Sequence, residues 1–382
     1  MNQEEQNKNI ELQEAIIPEE TSKRITALRF LLAILVVFIH NNFTHESIKY
    51  LLGFVPLFNP NQFTQWVQII ISGSLGNCAV PLFFVFASYL QVRKNDSYKV
   101  LLKKRTKSLL LPYVLWISIY LIYRIFGKLL IAKIQPSLLV NPDKTVLTWG
   151  IKKWISFIVG YGQYFGFFEN NHPAAAAQFW FVRDLMILVV LSNIIIKLIK
   201  KFTIGFFIMI AILYFSGQPV YFVSTSALFY YSLGLYWGIY NLKLFELVDR
   251  IRWIEVLILF IIGSIMSNTS FVDNSFMSGI STMTSCLLFL KISGSIIKSE
   301  KIFSIASYFS GYSFFLYAIH MPALLYILQR LWITLFPMKN GFFCLFEYFG
   351  VTILIIITGT AIGIILKKIC LPLFALLNGG RK

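Results

Sequence analysis

Apolar runs of about twenty residues recur along the chain, the length that a bilayer core requires of a helix. Ten are predicted as helices, with cores at 25–43, 72–92, 108–127, 178–198, 203–217, 224–241, 253–268, 275–292, 307–333 and 345–367. The fifth is short, and the ninth is long and contains Pro322. The polar stretches between them are sorted by charge. Residues 93–107 hold Arg93, Lys94, Lys99, Lys103, Lys104, Arg105 and Lys107 against one acid, Asp96. Further bases cluster at Lys197, Lys200 and Lys201, at Lys243, Arg250 and Arg252, at Lys291, Lys298 and Lys301, and at Lys367, Lys368, Arg381 and Lys382. The alternate stretches 218–223 and 269–274 carry none. Positive loops stay inside. The expected fold is therefore an all-α integral membrane protein of about ten transmembrane helices, both termini cytoplasmic, in the cell membrane.

The ends are read by composition. Residues 1–22 are polar and acidic and are expected to form a disordered cytoplasmic tail. The leader's acidity, and the lack of a small-residue cleavage site after the first apolar run, argue against a signal peptide. The transmembrane domain is expected over 23–370, with a short basic cytoplasmic tail over 371–382. The stretch 128–177 would lie outside despite five lysines, and long loops constrain orientation less. Its aromatic part, Trp149–Phe168, reads as an interfacial or re-entrant segment.

Composition excludes a soluble domain. Of 382 residues, 57% are hydrophobic and 13% charged, where soluble domains carry about 45–50% and about 25%. The net charge of +17 is scattered between apolar runs, which excludes nucleic-acid binding and suits anionic lipid headgroups. The four cysteines, Cys78, Cys286, Cys344 and Cys370, lie far apart and are expected as packing residues, with no metal site.

Ionisable groups inside spans cost at least about 2.5–3.5 kcal/mol on insertion scales and point to function. The first span reads Arg29-FLLAILVVFI-His40. Eleven residue steps put the two about 16 Å apart along a helix and about 20° past three full turns, so they share one face. Either the pair is functional, or Arg29 snorkels to headgroups and His40 ends the helix.

Arg-x10-His in a first span resembles the N-terminal motif of membrane-bound acyltransferase family 3, which O-acetylates bacterial surface glycans. Four more stretches resemble that family in the same order: NCAVPLFFVFASYLQVRK (77–94), KKRTKSLLLPYVLW (103–116), QFWFVRDLMILVVL (178–191) and SGYSFFLYAIHMPALL (310–325). Two departures stand out. The second arginine of the family's Arg-x-x-Arg is missing after Arg105, where Ser108 stands, and Ala87-Ser88 replaces the usual Ser-Gly. The end of the chain soon after Lys367 favours the stand-alone form of the family.

The resemblance implies a membrane O-acyltransferase that needs no bound cofactor. Acyl-CoA, most simply acetyl-CoA, would be the cytoplasmic co-substrate. A glycan or lipid-linked glycan of the envelope would be the acceptor. His40 would be general base or acyl carrier. Arg29, Arg105, Lys104 and Lys107 would hold the CoA phosphates. Asp184 either orients a histidine or binds sugar, or it forms a self-neutralising pair with Arg183. Arg183 and Trp180 are candidate sugar contacts, Trp180 alternatively a belt residue. His320, three residues after Tyr317, lines the pocket with it or makes a structural hydrogen bond. His45 and His172 read as loop residues. The alternative function is a polysaccharide exporter or flippase of the same fold, which calls for a wide polar lumen.

Overall fold

The computed structural model describes residues 17–41, 62–94, 96–134, 150–160, 176–217, 222–268, 274–336 and 340–381. Among them every regular element is helical, and there is no strand. In chain order the helices are α1 (Glu19–His40), α2 (Phe63–Arg93), α3 (Tyr98–Gly127), α4 (Ile151–Val159) and α5 (Ala177–Phe215). They continue as α6 (Thr225–Ile239), α7 (Leu244–Arg250), α8 (Trp253–Ser267), α9 (Ser275–Lys298) and α10 (Glu300–Ser310). The last are α11 (Ser313–Leu335), α12 (Gly341–Ile369) and α13 (Leu371–Leu377).

Among the described residues α2, α3, α5, α9, α11 and α12 are long and apolar enough to cross a membrane. The shorter α8 is apolar too and exposes Ile254, Ile258, Ile261 and Ile265. That spacing is one helical stripe, and an uncovered isoleucine stripe suits lipid rather than water. The protein is a multi-pass membrane protein.

The expected spans 178–198 and 203–217 follow one another within α5, which breaks between them at Phe202 (φ −131°, ψ 38°). The expected run 307–333 divides between α10 and α11 at Gly311–Tyr312. Residues 1–16 lie outside the described residues, but 19–22, expected within the tail, form the first turn of α1. Pro18 precedes that turn, Glu19 and Glu20 favour the positive end of the helix dipole, and Arg24 pairs with Glu20 and Asp249.

Helix α1 is the centre of the bundle. It packs against α2, α9, α10, α11 and α12. Ile25, Leu28, Leu32, Ala33, Val36 and Val37 are all buried, and a helix apolar nearly all round is a core helix. Ser88, at the departure from the family pattern, has a packing reason. Its hydroxyl and the Val85 carbonyl face Gly234 of α6, where a Cβ would come within 2.1 and 2.2 Å of them. Small residues let membrane helices approach closely. Gly234→Ala should destabilise the protein by about 1–3 kcal/mol, the usual overpacking range. Gly205→Ala, with nothing within 4 Å of its Cβ, should change little. Thermal unfolding in detergent measures both.

Candidate functional site

Two sites lie along α1, one near each of its polar residues. At the Arg29 end a cavity of about 460 Å³ opens between α1, α2, α3, α5 and α11. Arg29, Arg105, Arg381, Lys94, Lys104 and Asp96 line its polar part, and Phe83, Phe86, Phe181, Leu185 and Phe314 its apolar part. Tyr317 also lines it. Of the expected phosphate ligands, Arg29, Arg105 and Lys104 are therefore together. Lys107 is exposed and does not line the cavity. Helical phase explains this, since two residues beyond Arg105 a side chain points about 200° away. Asp96 binds Lys104 through both oxygens (2.6 and 2.8 Å). The Arg105 Nη2 lies 3.4 Å from the Ala87 carbonyl.

At the other end of α1 the two histidines meet. His320 Nε2 lies 3.1 Å from His40 Nδ1, with ring centroids 4.9 Å apart. The tautomers follow from the remaining partners. His320 Nδ1 faces the Tyr317 carbonyl at 2.6 Å; a carbonyl only accepts, so this nitrogen carries the proton. In the neutral ring its Nε2 must then accept. His40 Nδ1, 2.9 Å from the Val36 carbonyl, therefore donates to both, and His40 Nε2 carries the ring's lone pair. His320 is fully buried, and His40 is half-buried.

Irregular backbone sets this geometry. Helix α11 breaks at Met321 (φ −142°, ψ 163°), before the cis peptide Met321–Pro322. Carbonyls near the break are satisfied from outside. Gln178 Nε2 donates to Ala318 (3.1 Å) and Met321 (2.5 Å), and the Tyr120 hydroxyl donates to Ala318 (2.7 Å). The Tyr317 hydroxyl donates to the Gln178 carbonyl, and its ring lies 6.1 Å from that of His320. Tyr317 thus belongs to the cavity wall and touches the histidine pair.

The His40 end of α1 is pinned by a polar cluster that sequence reasoning missed. Buried Asn41 donates to the Tyr348 carbonyl (3.0 Å) and to Thr352 Oγ1 (3.1 Å), and accepts from Gln329 Nε2 (2.7 Å). Ser72 Oγ, in a π-helical turn of α2, donates to the Phe38 carbonyl (2.7 Å). The available signal was polar residues inside apolar runs, which in a membrane need partners.

The other expected residues lie elsewhere. Asp184, fully buried, is taken up by Arg183 (2.9 Å to Nε) and by the Ser224 backbone N–H (2.9 Å). Arg183 Nη1 also donates to the Val159 carbonyl (2.9 Å). The pair thus ties α5 to α4 and to the start of α6. Trp180, half-buried, packs 6.5 Å from Phe84. Within the expected interfacial segment, α4 is described and buries Phe157. His45, His172 and residues 161–168 lie outside the described residues. Of the segment 371–382, expected as a basic tail, residues 371–381 are described and form α13 and a buried turn at Asn378 that carries Arg381 to the cavity.

Known proteins agree with the motifs. The succinoglycan biosynthesis protein ExoH of Rhizobium meliloti (strain 1021) is 24% identical over 244 residues, 60% of this chain and 57% of that protein. The match thus spans less than two thirds of the length of this curated relative. No solved structure matches the chain significantly. The model of the acyltransferase domain matches residues 22–368, so nearly all of α1 to α12 falls within it, and the chain belongs to that family of membrane acyltransferases.

Proposed function

We propose that the protein is a membrane O-acyltransferase that moves an acyl group, most simply acetyl, from cytoplasmic acyl-CoA to a hydroxyl of an envelope or exported glycan. The observation that carries this reading is the line from the cavity to the histidine pair. Guanidinium groups suit phosphates through their planar donor fork, and the aromatic wall suits the pantetheine arm. Tyr317 joins that wall to His320 and His40. The relative's printed link to succinoglycan biosynthesis supports a polysaccharide acceptor.

The chemistry needs one proton carrier. The acceptor hydroxyl gives its proton to His40 Nε2 as its oxygen attacks the thioester carbonyl carbon. The tetrahedral adduct collapses, the C–S bond breaks, and the CoA thiolate leaves, taking the proton from His40. An acyl-histidine is the covalent variant of the same scheme. His320 orients His40. Asp184, read from sequence as orienting a histidine, binding sugar or pairing with Arg183, is assigned to the last of these, holding α4, α5 and α6 together.

Ten crossings with the cationic mouth of the cavity inside remain our topology, supported by the basic stretches at 93–107 and 197–201. Those stretches also suit anionic headgroups. An exporter would need a wide polar passage, and the partly aromatic cavity favours the enzyme. The test is release of free CoA thiol from acetyl-CoA by purified protein given envelope glycan. Arg29→Ala should raise the KM for acetyl-CoA about tenfold or more, as for loss of a charged hydrogen bond, and leave the acceptor KM unchanged. No thiol release by wild-type protein with any envelope glycan fraction would reject the reading.

A further inference from the structure

We propose that the turn after α13 is part of the donor site, and that Arg381 completes with Arg29 and Arg105 a three-arginine neck for the diphosphate of CoA. The inference rests on the acyl-CoA reading above and adds to it a binding residue from a segment outside the family match, which ends at residue 368.

The turn is built to deliver that side chain. Phe374, fully buried, packs its ring against Tyr312, just before α11, and against Phe315 of α11. The Leu377 carbonyl accepts from Trp116 Nε1 of α3 (3.0 Å). Asn378 is fully buried; its Oδ1 accepts from the Phe315 N–H (3.1 Å), and its Nδ2 donates to the Gly311 (2.8 Å) and Arg381 (3.0 Å) carbonyls. Gly379 and Gly380 then turn the chain back with φ of +71° and +79°, and Gly380 N–H closes on the Ala375 carbonyl (2.7 Å). A Cβ at Gly379 would meet the Ser108 carbonyl oxygen of α3 at 2.6 Å. Position 379 therefore needs glycine for its conformation and for its space.

Arg381 ends at the boundary of the cavity's two halves. Its guanidinium lies 5.1 Å over the Phe314 ring, part of the apolar wall, while Arg29 and Arg105 line the same cavity from α1 and α3. The protein packed around it, then the charges of Arg29 and Arg105, push Arg381 down to about 10; the residue stays exposed and cationic near neutrality. Asp96, the acid among the lining residues, already binds Lys104. Gathered like charges favour an anion. In CoA the diphosphate joins the pantetheine to the adenosine, so it belongs where an aromatic wall gives way to cations. The 3′-phosphate then falls toward Lys94 and Lys104.

The experiment measures binding of CoA, dephospho-CoA and pantetheine to the purified full chain by calorimetry. Arg381→Ala should weaken CoA and dephospho-CoA by the same factor, about 10–100-fold, the range for charge-assisted bonds. Pantetheine, which lacks the diphosphate, should bind as before. Gly379→Ala keeps the arginine but opposes the turn, and should give the same pattern in milder form. Unchanged CoA binding in Arg381→Ala would overturn the proposal. So would a loss seen with CoA and absent with dephospho-CoA, or an equal loss of pantetheine, which would make the turn merely structural. A wild-type protein that binds none of the three would remove the acyl-CoA reading itself, whereas wild-type binding with an indifferent Arg381→Ala removes the neck alone.

Discussion

His40→Ala should lower CoA release by about 10²–10⁴-fold, the usual contribution of a positioned general base, with insertion and thermal stability near those of the wild type. The fold should survive because His40 is half-buried at the end of α1, and that end is held by its neighbour. Asn41 bonds to Tyr348, Thr352 and Gln329 without involving the imidazole. His40→Gln is the decisive companion. A glutamine amide can still donate toward the Val36 carbonyl and His320 but cannot take a proton. If His40 merely finishes the helix, glutamine should keep most activity; if it is the base, glutamine should be as inactive as alanine. Near-wild-type thiol release by a folded His40→Ala protein would remove His40 from the mechanism. Activity lost together with thermal stability would indicate a structural role instead.

What could be read without coordinates follows from how far each inference had to reach. Arg29 and His40 lie on one helix, so the rotation per residue was enough to align them, and α1 carries both. The cationic mouth was legible for the same reason, since Arg105 and Lys104 follow each other on one element. Counting charge along the stretch groups Lys107 with them, and only helical phase separates it. His40 and His320 are 280 positions apart. Their meeting depends on the azimuth of α11, which its break at Met321 sets, and no periodicity encodes an angle between two helices. Arg381 was hidden by its composition. A basic end after a membrane span reads as a headgroup anchor, and the contrary signal was only Asn378-Gly379-Gly380, a turn whose target, Ser108, is far along the chain. For Arg183-Asp184 both readings were open, because adjacency alone does not say whether an ion pair serves a ligand or the packing.

His320→Ala should lower kcat by about 10–100-fold, the range for losing an outer partner that orients a histidine, with the KM for acetyl-CoA unchanged. The reason lies in the proton arrangement. The Tyr317 carbonyl fixes His320 with its proton on Nδ1, so Nε2 accepts from His40 Nδ1 and keeps the lone pair of His40 on the other nitrogen. Removing His320 leaves the Val36 carbonyl as the described acceptor for that proton, and the ring can turn away from its productive orientation. His320→Ala also empties a fully buried position, so a fall in thermal stability is expected and does not by itself speak for positioning. Two further measurements separate the roles. His320→Gln offers an amide oxygen near the place of Nε2 and should restore much of kcat. In the double mutant, a residue that acts only through His40 should add almost nothing to the loss caused by His40→Ala, because residues that work as a unit are non-additive. A full additional loss in His40→Ala/His320→Ala, measured on thiol release from folded protein, would give His320 a role of its own in the reaction.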